Sequence, residues 1–533
     1  MKRRDLLKAG TAAAALVIAP RFSVSPVLAQ EKVTFTIVPA NDLNMLDPIW
    51  TTALIVGIYA DVVYDGLYGY DSNYAPQPQM AQGHEVSEDG KTWTITLRDG
   101  LSFHDGKPVT AADCVASIKR WGARDTIGQT LVEIMDSIEA SDDKTIVIKL
   151  QRRFPMLPFA LGKPVSNMTA MMPEELANTD PFEKISVENG SGPFKFVAEE
   201  WVSGSKAVFE KFEDYKPRED GEPSFTAGPK VAYVDRMVWS TITDPSTAVA
   251  ALQSGEVDAL ESVPTDFLSI LRQDPNIQLI KRSLYSFAIM RFNSQLPPFD
   301  NVEIRRAVQS AVDQEAFMTA MFGAENSDIW LAGVGVFTPE TPMANDAGLD
   351  LVTGDHDIEA AKQKIIDAGY DGSPIVLLDP ADSASSHAAA LLANDLLKRL
   401  GFNVDLQTMD WGTVVQRRAI KEPVSEGGWN IFFTSLNGPN NLNPAGQLGL
   451  RGNADDAWYG WPDNPEIEDL RMKWFFAESV DEQKQFARQI QESALDQVPY
   501  VTLGAYTSVS AYNKKWTDIP PELPIYFTMK PAD

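Results

Sequence analysis

A mixed α/β fold divided into two or three lobes is predicted by three observations on the sequence. Segments alternating with a period of two recur along the chain, and between them run segments with apolar residues at helical spacing. Gly- and Pro-containing turns punctuate the two kinds of segment throughout, with no repeat of fixed period and no low-complexity tract. The length, 533 residues, exceeds what a single hydrophobic core supports.

The elements can be justified in order. Lys32 to Val38 alternates as a strand, Asn41 to Pro48 is a polar turn, and Ala53 to Leu67 reads as a helix closing on Tyr64-Asp65-Gly66-Leu67. Thr92, Thr94 and Thr96 alternate with Trp93, Ile95 and Leu97, as a half-buried strand requires. Gly100 and His104-Asp105-Gly106 turn the chain, after which Thr110 and Asp113 have the spacing of a capping box ahead of Val115, Ile118 and Trp121. Lys144 to Leu150 is a further strand. Asp244 to Ser254 is a capped amphipathic helix stopped by Gly255, and Arg305, Val308 and Val312 mark another helix face. Ile358 to Ala368 is a helix preceded by a solvated loop containing His356.

The first thirty residues carry a different signal. Lys2-Arg3-Arg4-Asp5-Leu6-Leu7-Lys8 is a twin-arginine core, Ala9 to Ile18 is apolar, and Val27-Leu28-Ala29 has the small-residue pattern of a cleavage site. A twin-arginine signal peptide over residues 1–29, cleavage near Ala29 and a periplasmic mature protein starting at Gln30 are expected. The apolar run is far shorter than the ~20 residues that span a bilayer. Removing this segment takes five Lys/Arg and one Asp from a formal charge of −28 and leaves about −32, so nucleic acid is a poor partner. The single cysteine, Cys114, excludes an intrachain disulfide and reads as a packed apolar residue on its helix.

Enzyme chemistry finds little support. The four histidines, His84, His104, His356 and His387, are scattered, with no metal-ligand spacing and no Cys/His cluster. No nucleophile elbow, P-loop or dinucleotide fingerprint is present, and Gly333-Val334-Gly335-Val336 lacks the third glycine and the lysine. No cofactor and no metal are expected.

Four motifs, in order, carry a family resemblance. Leu46-Asp47-Pro48 is followed by Val63-Tyr64-Asp65-Gly66-Leu67, and then by Phe103-His104-Asp105-Gly106-Lys107-Pro108-Val109-Thr110-Ala111 with Asp113. Gly190-Ser191-Gly192-Pro193-Phe194 precedes Phe212-Glu213-Asp214-Tyr215, and Phe292 to Gln314 reads FNSQLPPFDNVEIRRAVQSAVDQ. Together they resemble family 5 of the extracytoplasmic solute-binding proteins, the peptide/nickel/opine class that serves ABC importers. The resemblance implies a type II, cluster C periplasmic binding protein-like fold, in which two lobes close over a ligand beside an extra domain. It places lobe I at residues 30–58, 189–284 and 505–533, the extra domain at 59–188 and lobe III at 285–504, with hinges near Tyr285-Ser286 and Leu503-Gly504. The implied partners are a small-molecule or peptide-like ligand and an ABC permease with its cytoplasmic ATPases, the receptor itself being a monomer. An exported enzyme or a periplasmic peptide-holding chaperone are the alternatives.

The resemblance also implies where the ligand binds. Trp50, Thr51 and Thr52 follow the Leu-Asp-Pro motif, and Trp411 with Arg418 falls where oligopeptide-binding members carry an arginine near the ligand; a surface arginine on a helix is the other reading. Phe433, Ser435, Asn437, Asn440 and Asn441 occupy the next element. Here the chain departs from the family, whose Gly-Trp-x-x-Asp-Tyr stretch supplies an aspartate for a peptide's ammonium group. No carboxylate lies between Asn430 and Asn453. A desolvated ammonium left unpaired there would cost several kcal/mol, so the Asn cluster points to a hydroxyl-, amide- or carboxylate-bearing ligand, or simply to a good turn. Trp330 and Trp458-Tyr459-Gly460-Trp461 could stack on a ligand or pack between lobes, and Asp455-Asp456 could meet a cation.

Overall fold

The computed structural model describes residues 32–532 apart from Ser166 and Ser186. The expected signal segment, residues 1–29, lies outside them. No described helix is long and apolar enough to cross a membrane.

Three larger sheets organise the chain. Strand Thr34–Val38 pairs in parallel with Arg236–Ser240 and Ala259–Leu260 at the centre of a seven-stranded sheet, whose flanks are antiparallel and include Ile277–Lys281 and Val509–Asn513. A four-stranded antiparallel sheet contains Thr92–Leu97 and Thr145–Leu150, every residue from Thr92 to Thr96 in register with its partner. The third sheet has six strands, with Ser286–Phe292 between Tyr500–Tyr506 and Ile431–Leu436, followed by Pro374–Pro380 and Asn403–Met409. Its last three strands are parallel, so their C-terminal ends open on one edge.

The local signals account for these elements. Thr110 and Asp113 form the expected capping box of helix Ala111–Gly122, and Asp244 caps Pro245–Ser254, which Gly255 ends in a left-handed conformation at φ 78°. Cys114 is fully buried, and burial pushes its thiol well above its ordinary range. The first helix is shorter than expected, Leu54–Val63, because Tyr64 already takes an extended conformation. It spans the boundary expected near residue 58. His104 receives a structural role: its Nε2 lies 3.0 Å from the carbonyl of Gly192, and burial lowers its pKa to about 4.

The six-stranded sheet has two differently covered faces. Ile375, Leu377, Ile431 and Phe433 point into a core made with the helices Val302–Ser310, Gln314–Phe322 and Ala384–Arg399. The alternating residues Val376, Leu378 and Phe432 point the other way, toward Val414, Trp429 and Trp461. The chain passes between the seven- and six-stranded sheets twice, at residues 282–285 and 507–508. These linkers touch: the Thr507 hydroxyl donates to the carbonyl of Arg282 at 2.7 Å, and the Arg282 amide donates to the carbonyl of Ser508 at 3.0 Å.

Candidate functional site

An arginine without a protein partner stands on the second face of the six-stranded sheet. Helix Trp411–Arg417 starts where Asp410 caps the amide of Thr413, and Arg418 ends it. The Arg418 guanidinium lies 5.4 Å from the Trp411 ring, 5.6 Å from Phe432, 5.7 Å from Trp458 and 4.6 Å from Tyr459. Four aromatic faces of this kind favour a cation while removing its water. Its Nε is buried and has no hydrogen-bond partner, and among the described residues no carboxylate reaches ion-pair distance. Burial accordingly lowers the Arg418 pKa from its ordinary value.

The neighbouring arginines show how different this is. Arg417 donates to the carbonyls of Gly427 and Gly428 and to the Gln407 side chain. Arg291 is fully buried beneath the same aromatic loop and donates to the carbonyls of Tyr459, Gly449, Pro499 and Trp458 at 2.6–3.2 Å. It thereby fixes Trp458 and Tyr459 from below.

The Asn turn is partly structural. Residues 438–441 form a single 3₁₀ turn, and the Asn441 side chain, 1 % exposed, donates to the carbonyl of Asn437 at 2.8 Å. Gly438 packs so close to the linker residue Tyr285 that a Cβ would sit 2.5 Å from its carbonyl oxygen. Asn437 and Asn440, half-exposed, make no side-chain hydrogen bond to a described residue. Two other expected residues point elsewhere. Phe433 lies in the helix-covered core, since the period of two puts its neighbour Phe432 on the Arg418 side. Ser435 shares the face of Phe433, and its hydroxyl bonds the Tyr506 hydroxyl at 2.8 Å.

Trp50, Thr51 and Thr52 occur together in the loop ahead of helix Leu54–Val63. The aspartate before them, Asp47, is completely buried and binds Arg120 through both oxygens at 3.0 and 2.7 Å, which anchors the loop. The three residues line an open recess of about 460 Å³ with Arg124, Asn167 and Phe182. Ile49, Ala445 and Leu450 belong to one apolar core, with Trp458 packed at its edge. Ile49, beside the recess, and Trp458, beside Arg418, both pack on this core, although no residue beyond Phe182 lines the recess itself. Sequence reasoning missed Arg124, Asn167 and Phe182, which carry no motif; Phe432 was one position from the residue expected.

Other candidate chemistry is absorbed by structure. Asp455 pairs with Lys421 and accepts from Gln295. His387 and Asp379 form a 2.7 Å pair, but the Thr408 hydroxyl donates to the other oxygen of Asp379 rather than to the imidazole, so no nucleophile–base order results. Among the described residues no group of three or more His, Cys, Asp or Glu could hold a metal ion.

Comparison with known proteins agrees with this mixed α/β fold. The family described as bacterial extracellular solute-binding proteins, family 5 Middle, matches residues 75–458. The chain belongs to this family. It is 39% identical over the full length of both chains to a probable peptide ABC transporter periplasmic-binding protein of Sinorhizobium fredii. A glutathione-binding protein of Pectobacterium atrosepticum is 26% identical over 97% of this chain and 95% of its own. Among solved structures, the binding protein AgaA from A. tumefaciens R10 in complex with agropinic acid superposes with a TM-score of 0.76 at 22% identity, covering 94% of this chain and 99% of that one. The binding protein DppA from Helicobacter pylori with a bound peptide gives 0.78 at 20% identity and the same coverage. At those identities the structures establish a shared periplasmic binding-protein fold. Family membership makes this chain an extracytoplasmic solute-binding component of ABC importers.

Proposed function

We propose that the chain is the periplasmic receptor of an importer for a carboxylate-bearing solute, with Arg418 as its anchor. The observation that carries this reading is the unpartnered, half-buried guanidinium in its aromatic surround. A ligand carboxylate would supply Arg418 with the acceptors that Arg291, Arg305 and Arg471 find within the protein, and would do so bidentately. Trp411, Phe432, Trp458 and Tyr459 would cover the rest of the ligand, with Asn437 and Asn440 offering neutral hydrogen bonds. The 39%-identical relative is named for peptide transport, but the segment Asn430–Asn453 holds no acid to receive a free ammonium. An N-blocked peptide, an opine or an acidic glycoside fits this set better than an ordinary free-amino peptide.

Lobe closure is the proposed mechanism. The touching linkers at 282–285 and 507–508 are the two crossings on which lobe III would turn against lobe I and the extra domain. The twin-arginine signal of residues 1–29 would deliver a monomer to the periplasm, where the closed form would engage the permease and its ATPases. The test is solution scattering with calorimetry. Saturating N-acetylated, carboxylate-bearing peptides should shrink the radius of gyration and add ~2.7 kcal/mol of stability at a hundredfold excess over Kd. Tighter binding of the same peptides with free amino groups, or turnover of any of them, would overturn it.

A further inference from the structure

We infer that Arg124 is a second anion contact, across the seam proposed between the lobes from Arg418, and that the solute therefore carries two acidic groups. The inference rests on the carboxylate reading above and adds the class of ligand. The Arg124 guanidinium lies between two aromatic rings, 5.0 Å from Trp50 and 5.1 Å from Phe182, and its hydrogen bond to protein is a long one, 3.3 Å to the carbonyl of Trp50. Lys184 approaches the same Trp50 ring at 4.9 Å. Neither cation has an ion-pair partner among the described residues.

The charge around the recess makes that unusual. The chain as a whole carries −28, so an unpaired pair of cations is not what average composition would give. The nearby acids are committed elsewhere. Asp47 is held by Arg120, and Asp125 caps the amides of Ile127 and Gly128 while pairing with Lys163. Glu183 is exposed and reaches neither cation. The Oδ1 of Asn167, which lines the recess, is buried without a partner and awaits a donor. One cation lining the recess, a second over the same Trp50 ring, an aromatic floor and one neutral acceptor suit an acid that also carries an N–H or O–H.

One hydrogen bond links this group to the segment that follows the Asn turn. Two residues beyond Arg124, the Thr126 hydroxyl donates to the third-lobe carbonyl of Ala445 at 3.3 Å. Ala445 and Ile49, the residue before Trp50, belong to the core that Trp458 flanks. An acidic group on Arg418 and another on Arg124 would thus tie the two sides of the seam through one ligand, and only a ligand with both would hold the lobes together fully.

Matched probes test this directly. N-acetyl-glutamate and N-acetyl-glutamine differ by one carboxylate at nearly constant shape, and N-acetyl-Gly-Glu with N-acetyl-Gly-Gln repeats the comparison over a longer span. Calorimetry at low salt should show the wild-type protein preferring the diacid of at least one pair by about tenfold or more, the worth of one charge-assisted contact. Arg124→Gln should bring that ratio near one, and Arg124→Lys should restore part of it; melting temperatures and the surface variant Arg399→Gln control for folding. A ratio unchanged in Arg124→Gln, or no diacid preference in the wild type, including no diacid binding at all, overturns the inference. Arg418→Gln separates the two readings. If it abolishes binding of the amide probes while the diacid ratio ignores Arg124, the carboxylate reading stands and the second contact falls. If it binds every probe as wild type does, the carboxylate reading falls.

Discussion

Arg291 and Arg418 lie against the same tryptophan, 5.2 and 5.7 Å from the Trp458 ring, and the protein treats them in opposite ways. Four backbone carbonyls converge on Arg291, which needs no carboxylate although burial lowers its pKa to about 9. Around Arg418 the backbone offers nothing, and its Nε remains bare. A folding chain can satisfy a buried guanidinium when that serves the fold. Its failure to do so at Arg418 is the contrast on which the proposed anchor rests.

The largest break of this comparison is at Arg291. Arg291→Met removes the donors and leaves four inward-facing carbonyls under the aromatic loop, so it should destabilise the protein by ~3–5 kcal/mol, read as a lower midpoint in urea unfolding. Arg291→Lys should recover little, because an ammonium cannot span carbonyls from four separate residues. A midpoint within error of wild type would mean that the loop holds its position without the arginine.

Arg418→Ala should have the second-largest effect, and on a different axis. If the guanidinium meets a ligand carboxylate in the closed seam, binding should weaken by ~2–5 kcal/mol, while the melting temperature of the unliganded protein stays unchanged or rises. Arg418→Lys should recover part of the affinity. Wild-type affinity in Arg418→Ala would move the anchor to the recess of Trp50, Thr51 and Thr52.

How much of this was legible beforehand follows from the range of each interaction. The strand at Thr92, the capping box at Thr110 and the stop at Gly255 rest on neighbours a few residues apart, and the sequence pattern places them almost to the residue. Motif order gave the family, which the family match over residues 75–458 bears out. What the pattern could not show depends on contacts across the chain: Phe432 rather than Phe433 faces Arg418 because of the phase of a strand whose partners are fifty residues or more away. Arg124 has no motif at all, and its freedom is visible only after Asp47 and Asp125 are seen to be taken.

Asp61 extends the comparison to a buried acid. Asp65 nearby is satisfied by Lys230, Tyr215 and the amide of Gly66, whereas Asp61 accepts one long bond, 3.3 Å from the amide of Val165. Burial is the main cause that raises its pKa to about 6, well above the ordinary carboxylate range. An acid whose folded pKa is raised adds stability below its unfolded pKa and loses it as pH climbs toward the folded value, then contributes no further change. Asp61→Asn should therefore flatten the stability profile between about pH 4 and 6, with a difference from wild type of up to ~3 kcal/mol across that window. Parallel profiles for the two proteins in calorimetry would show that Asp61 is stabilised by more than its one bond.

The smallest expected effect decides how to read the second. By sequence alone Arg417 is the natural control for Arg418, since adjacent helical residues face about 100° apart. The structure changes its use: Arg417 ties the helix end to Gly427, Gly428 and Gln407, so its removal acts on the fold. Arg417→Ala should lower stability by ~1–2 kcal/mol, the net worth of its hydrogen bonds at a half-exposed position, and should shift ligand affinity by less than the Arg418 variant does. The loss would be seen in the melting temperature, and the contrast in titration calorimetry of both variants with one N-acetylated acidic peptide. Equal losses of affinity would mean that the helix moves as a unit and that the Arg418 effect is one of position. A large loss at Arg418 with a small one at Arg417 would leave the unpartnered guanidinium as the group the ligand meets.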